Sequence, residues 1–208
     1  MLCYKKFCYG NMFSNGYLIW DEKSLEAMVI DCGNPANMIL NYANELGLSV
    51  KYVVLTHAHY DHVLFMDEYR DAFPEAKLAI GAADAQLLSD YEGNVSYLFG
   101  DVRVFGEPDI KLCDGDMLSL GESALRVISA PGHTPGGICL YSEADKLMVT
   151  GDTLFGGGGI GRTDFKYGDM EVLRATLRRI LSMNGDITIL PGHGGASKIG
   201  YEQRSLFY

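Results

Sequence analysis

All five histidines of this 208-residue chain stand just past a short apolar run. Three fall together in Thr56-His57-Ala58-His59-Tyr60-Asp61-His62, directly after Val50 to Leu55. The other two sit in matching turns, Pro131-Gly132-His133-Thr134 and Pro191-Gly192-His193-Gly194, and a carboxylate stands in a similar place in Thr150-Gly151-Asp152-Thr153. A lone histidine on an apolar face is usually a hydrogen-bonded core residue, and Asp61 alone could serve as a helix cap. Neither reading accounts for imidazoles gathered at strand ends. At the exit of a strand His57 and His59, two residues apart, project to one side and converge on one cation. The turn into a helix redirects Asp61 and His62 toward a second.

The expected arrangement is one metal on His57, His59 and His133, a second on Asp61, His62 and His193, and Asp152 between them, because a carboxylate has two oxygens and can bridge. Two divalent ions roughly 3.5–4 Å apart lower the pKa of a bridging water and polarise the bond it attacks, which is metal-assisted hydrolysis. Asp61 and Asp152 are the candidate catalytic carboxylates that orient the resulting hydroxide. Zinc is the expected ion; mixed imidazole and carboxylate ligands also accept iron or manganese.

The spacing predicts strands near 3–9, 17–20, 27–31, 50–55, 78–80, 117–120, 125–129, 137–141, 147–150 and 186–190. Helices are expected from Asn34-Pro35 to Gly47, from Asp61 to Phe73 before Pro74, over Ala82 to Ser89, and after an N-cap at Asp169, with Leu173, Leu177, Ile180 and Leu181 on one face. Asn15-Gly16 within Met1 to Trp20 reads as a hairpin turn. Two strand-rich blocks, 3–55 and 117–150, each accompanied by helices, suggest an α/β fold of two packed sheets with helices outside. The length fits one domain over 1–208.

Composition narrows the partners. A net charge of −10, from 17 basic and 27 acidic residues, repels phosphate backbones, so no nucleic acid is expected. No segment approaches the ~20 apolar residues of a membrane span, and the N-terminus lacks the apolar core of a signal peptide. Five scattered cysteines without a C-x-x-C pair suit a reducing, cytoplasmic compartment. A small-molecule substrate is the expected partner. The terminal Tyr201 to Tyr208 segment docks on the domain or covers a second copy in a homodimer.

The run His57-x-His59-x-Asp61-His62, with His133, Asp152 and His193 following, resembles the signature of the metallo-β-lactamase superfamily over nearly the whole chain. The resemblance implies an αββα sandwich, two mixed sheets packed face to face with helices outside and metals at the edge where the sheets meet. Asp31 looks like the family's buried acid near the site. Gly151-Asp152-Thr153-Leu154-Phe155 and Gly161-Arg162-Thr163-Asp164 resemble the glyoxalase II-like (hydroxyacylglutathione hydrolase-like) branch, which implies a binuclear hydrolase of a thioester or small ester. The same branch includes mononuclear iron persulfide dioxygenases, whose ligands match His57, His133 and Asp152; that is the alternative. The chain departs from glyoxalase II in carrying Val63-Leu64-Phe65 after the motif and in ending 15 residues after His193, so no C-terminal helical glutathione-binding domain is expected. The lysine and tyrosine that grip glutathione are also unmatched, which argues against glutathione as the carrier.

Arg162, Lys166, Tyr167 and Lys198 are the candidate substrate contacts, although Arg162 has a ready ion-pair partner in Asp164 and exposed lysines and tyrosines are usually solvated surface. Gly156 to Gly161 fits G-x-G-x-x-G but is followed by Arg-Thr-Asp and not by a helix, so a nucleotide-binding role is rejected. The glycines are expected to let a loop pass close to the metals.

Overall fold

The computed structural model describes residues 1–10 and 14–206. Its first sheet contains β1 (Leu2–Phe7), β2 (Gly16–Asp21), β3 (Glu26–Ile30), β4 (Ser49–Leu55), β5 (Lys77–Gly81) and β6 (Ile110–Leu112), in that order across the sheet. The first three strands run antiparallel and β3 to β6 are parallel. The second sheet runs β12 (Ser197–Lys198), β11 (Thr188–Pro191), β10 (Leu147–Gly151), β9 (Ile138–Ser142), β8 (Ser123–Ser129), β7 (Met117–Leu120). Only β10 and β11 are parallel in it. The helices are α1 (Ala36–Glu45), α2 (Tyr60–Val63), α3 (Met66–Ala72), α4 (Met170–Leu181) and α5 (Ile199–Leu206).

Period-two alternation sorts the strands' apolar residues into layers. Tyr17, Ile19, Met28, Ile30 and Val54 meet Leu125, Val127, Leu140 and Val149 in the core between the sheets. The intervening Leu18, Val29, Val53 and Leu55 face Ile39 and Ala43 of α1 and Met66 and Tyr69 of α3. On the far side Ile128, Met148 and Ile189 pack on Leu173, Leu177 and Ile180 of α4 and on Ile199 of α5. The result is the αββα sandwich implied by the resemblance.

Three expectations are corrected. Asn15-Gly16 is not a two-residue hairpin turn: Phe7 pairs with Gly16, so the β1–β2 connection spans 8–15. Asn15 is drawn away, donating from Nδ2 to the carbonyls of Pro191 at 2.9 Å and Gly194 at 3.0 Å. The helix expected from Asp61 to Phe73 is broken into α2 and α3. Its side-chain period is nearly continuous, but the carbonyl of His62 accepts from Cys32 N at 2.6 Å and the N–H of Phe65 donates to Cys32 O at 2.9 Å, so the end of β3 takes groups a helix needs. The helix expected over 82–89 is a 3-10 turn, Ala85–Ser89. Three short elements, β6, β12 and α5, were not anticipated.

The other helices follow their signals. Asp169 caps α4, its Oδ1 accepting from Glu171 N at 2.9 Å and Val172 N at 3.0 Å, and α1 stops before Gly47, at φ +66°. Within 201–206, α5 packs beside α4, and its Glu202 is buried; residues 207–208 lie outside the described residues. No helix among the described residues is long and apolar enough to cross a membrane.

Candidate metal centre

Four strands, β4, β8, β10 and β11, end at one edge of the sandwich, and the loops leaving them carry the candidate ligands. A backbone hydrogen bond from Ile138 N to Thr56 O, 2.9 Å, joins the two sheets there. His57 and His59 leave β4, Asp61 and His62 sit on α2, His133 follows β8, Asp152 follows β10 and His193 follows β11. Residues more than a hundred positions apart thereby meet. Three groups have ligand atoms mutually within 4.8 Å: His57, His59 and His133; His57, His62 and Asp152; Asp61, His62 and His193.

Neighbours fix which ring nitrogen faces inward. His62 Nδ1 donates to Asp31 Oδ2 at 2.8 Å and His133 Nδ1 donates to the Arg162 carbonyl at 2.6 Å; both partners only accept, so each Nδ1 carries a proton and each Nε2 is aimed at the cluster. Thr56 donates its hydroxyl to Asp31 Oδ2 at 2.9 Å, leaving a lone pair for His57 Nδ1 at 3.1 Å. Asp31 thus orients two imidazoles, one directly and one through Thr56. It does so from a left-handed backbone, φ +60°.

The inward nitrogens crowd each other. His133 Nε2 lies 3.2 Å from His57 Nε2 and 2.8 Å from His59 Nδ1. The first two of these are bare lone pairs, which repel at that distance unless a cation lies between them. Asp152 Oδ2 is 3.6 Å from His133 Nε2 and 3.4 Å from His193 Nε2. Its Oδ1 is buried without a hydrogen bond, 3.3 Å from His62 Nε2. Asp61 Oδ2 is 3.2 Å from His193 Nε2 and 3.7 Å from His62 Nε2. An orphaned carboxylate oxygen and facing imidazole lone pairs fit divalent cations bound by nitrogen and oxygen.

The electrostatics divide the cluster. Burial holds His57 and His133 below the usual imidazole range and His59 down to about 3, so these rings stay neutral and ready to ligate. Burial also opposes charge on His62 and His193, but carboxylates prevail: Asp152, Asp31 and Asp61 raise His62, and Asp152 and Asp61 raise His193 to about 9. Burial would raise Asp61 and Asp152 in turn, yet His62 first and His193 next hold both carboxyls low.

Several residues that build the site went unnoticed in the sequence. Asp84 accepts from Ala58 N at 3.0 Å and Gly136 N at 2.6 Å, bracing the His57–His62 loop against the His133 turn; burial pushes its carboxyl up to about 6. Asn15 braces the His193 loop. A Cβ on Gly192 would stand 2.1 Å from Asp152 Oδ1 and 2.7 Å from His62 Cε1, so the turn needs glycine to approach the cluster. An acid a few residues past a β-strand or a glycine beside a histidine is too common a pattern to have marked them.

A cavity of about 380 Å³ opens over the cluster, lined by His59, Asp61, His133, Asp152 and His193 below and by apolar side chains above. Arg162 reaches its lining. The Arg162 guanidinium is engaged by Asp164, 2.6 Å at both contacts. Lys166 and Tyr167 turn to Asp90 and Glu92, with Lys166 Nζ 2.6 Å from Glu92 and Tyr167 OH 3.0 Å from Asp90, and Lys198 lies in β12; these three are not among the residues lining the cavity. The glycine loop is held by Glu202, which accepts from Gly157 N at 3.1 Å and Gly158 N at 2.6 Å.

An αββα sandwich with imidazoles and carboxylates converging where the sheets meet defines a metal-binding protein of the metallo-β-lactamase type. Residues 9–193 match the Metallo-beta-lactamase superfamily, and the chain belongs to it. Hydroxyacylglutathione hydrolase GloC of Haemophilus influenzae is 36% identical over 200 residues, covering 92% of this chain and 90% of that protein. Among solved structures, BLEG-1 B3 metallo-beta-lactamase superposes with a TM-score of 0.88 at 29% identity, covering 97% of each chain. TTHA1623 in a di-iron-bound form superposes with a TM-score of 0.81 at 28% identity, covering 97% of this chain and 98% of its own.

Proposed function

We propose that the chain is a binuclear metal-dependent hydrolase of a thioester or small ester, glyoxalase II-like in its chemistry. The observation that carries this reading is Asp152, one carboxylate within reach of His133 on one side and of His62 and His193 on the other. His57, His59 and His133 would hold one ion, Asp61, His62 and His193 the second, with Asp152 shared. Bound divalent ions supply an acidified water and polarise an acyl carbonyl.

The chain's own groups do the rest. Asp61 and Asp152 accept hydrogen bonds from a water entering the cavity and aim its lone pair at the acyl carbon. Water adds there, the carbon–sulfur or carbon–oxygen bond breaks, one of the water's protons passes to the leaving sulfur or oxygen and the other to solvent, and a carboxylate and a thiol or alcohol leave. Asp31 and Thr56 hold His62 and His57 in fixed orientations, which spares reorganisation during the reaction. The similarity to GloC supports a thioester as the substrate class, and a cavity of this size suits a small molecule.

Zinc is the proposed ion. Protein purified from its native source should carry two metals per chain and hydrolyse members of a thioester and ester panel, and His59→Ala should abolish that turnover. Two metals without hydrolysis of any panel member would overturn the reading. One iron per chain, with oxygen consumed on adding a persulfide, would replace it with the dioxygenase.

A further inference from the structure

The apolar part of the cavity lining is Val95, Phe99, Phe155, Ile160 and Phe165. Two of these come from the 91–105 segment, which is pinned to the metal-ligand helix. Asn94, fully buried, accepts from Tyr60 N through its carbonyl at 2.7 Å and from Ser96 N through Oδ1 at 2.9 Å, and donates to Arg103 O at 2.9 Å. Tyr60 also packs its ring 5.2 Å from that of Phe99 and donates to Asp101 at 2.6 Å. Val95 holds φ +57°, a region that β-branched residues rarely enter, so the surrounding contacts impose its place in the wall. In the same segment Leu98 is 51% exposed and Val102 70%.

No Lys or Arg among the described lining residues is left unpaired for an anionic carrier. Among the described residues lining the cavity, Arg162 is the one with a permanent positive charge, and it lies in a bidentate pair with Asp164 while stacking 4.1 Å over the Phe165 ring. Lys166, nearby in sequence, is paired with Glu92. The whole chain carries −10.

We infer that this site selects substrates bearing an uncharged apolar group, seated against Val95, Phe99 and Phe165, over substrates on a carboxylate-bearing carrier such as glutathione. The reaction rests on the hydrolase reading; the selectivity rests on the cavity wall. The apolar group belongs to the acyl side or to the thiol side of the scissile bond, and matched neutral thioesters with a phenyl group on one side or the other distinguish the two.

Kinetics on the metal-loaded full chain should give each preferred phenyl thioester a kcat/KM at least about tenfold above S-lactoylglutathione, and Phe99→Ala, at a partly exposed position, should reduce that preference about fivefold to tenfold by removing apolar contact area. Asp164→Ala should narrow the gap by releasing Arg162 for a substrate carboxylate. Calorimetric binding of the corresponding thioethers, which cannot be hydrolysed, should follow the same order. If no thioester turns over yet the neutral phenyl thioethers still bind more tightly than the glutathione thioether, the hydrolase reading fails and the selectivity stands. Equal or tighter binding of the glutathione thioether, or a preference unchanged in Phe99→Ala, overturns the inference.

Discussion

Asp31 shows how much of a site of this kind is decided one layer behind the ligands. Its Oδ1 accepts from Thr56 N at 2.7 Å, and its Oδ2 takes both the Thr56 hydroxyl and His62 Nδ1, so the loop leaving β4 and the first residues of α2 are indexed to one carboxylate. Asn tolerates the left-handed φ at this position and keeps the shape, but replaces one oxygen by a donor that faces donors. Asp31→Asn should therefore fold while binding metal roughly 10–100-fold more weakly, as expected for loss of a group that orients a ligand. Competition against a chromophoric chelator measures this, and unchanged affinity would show that His57 and His62 are oriented without Asp31.

Among the elements, α4 is the one whose sequence signal and structure agree most closely, and it lies behind the His133 turn. Leu173, Leu177 and Ile180 bury its inner face, Arg178 and Arg179 end it, and Asp169 caps it at the other end. Thr176 donates to Pro131 O at 2.7 Å and Asp169 N to Gly132 O at 2.8 Å, which hold the turn carrying His133 against the helix. Asp169→Ala removes the cap and should lower stability by about 1 kcal/mol. Thermal unfolding should detect it as a fall of a few degrees in Tm, and no change would mean that packing alone fixes this end. The α2–α3 break teaches the opposite lesson, since there the local period favours one helix and a backbone strand end overrides it.

At the scale of the whole molecule, the candidate metal centre gathers carboxylates and imidazoles carried by both sheets at one edge of the sandwich. Asp31, Asp61 and Asp152 meet His57, His62, His133 and His193 at the edge joined by the Ile138–Thr56 hydrogen bond. A cation that binds the folded arrangement and not the unfolded chain stabilises it by mass action, about 2.7 kcal/mol at a hundredfold excess over Kd. Stripping the metal with a chelator should lower Tm, and re-adding zinc should restore it in proportion to the logarithm of its concentration. A Tm indifferent to metal would mean that these donors do not bind it in the folded state.

Much of this was written locally. Strand alternation, the Asp169 cap and the apolar face of α4 depend on neighbours a few residues apart, and the five histidines at strand ends point to a candidate ligand set because no core needs them there. The sequence alone therefore determined most elements, the layered class and the candidate metal residues. Tertiary structure decided what depends on distant partners: that Cys32 interrupts the 61–73 helix, that Asn15 leaves its own turn for the Pro191–Gly194 loop, that Asp84 braces the loops of Ala58 and Gly136 against each other. It also decided the cavity wall, because Val95 and Phe99 reach Phe155, Ile160 and Phe165 only when both sheets are packed. Hydrogen-bond partners and shared cavities are long-range properties, and a linear pattern records them only where, as with imidazole, the residue type is rare enough to betray its use.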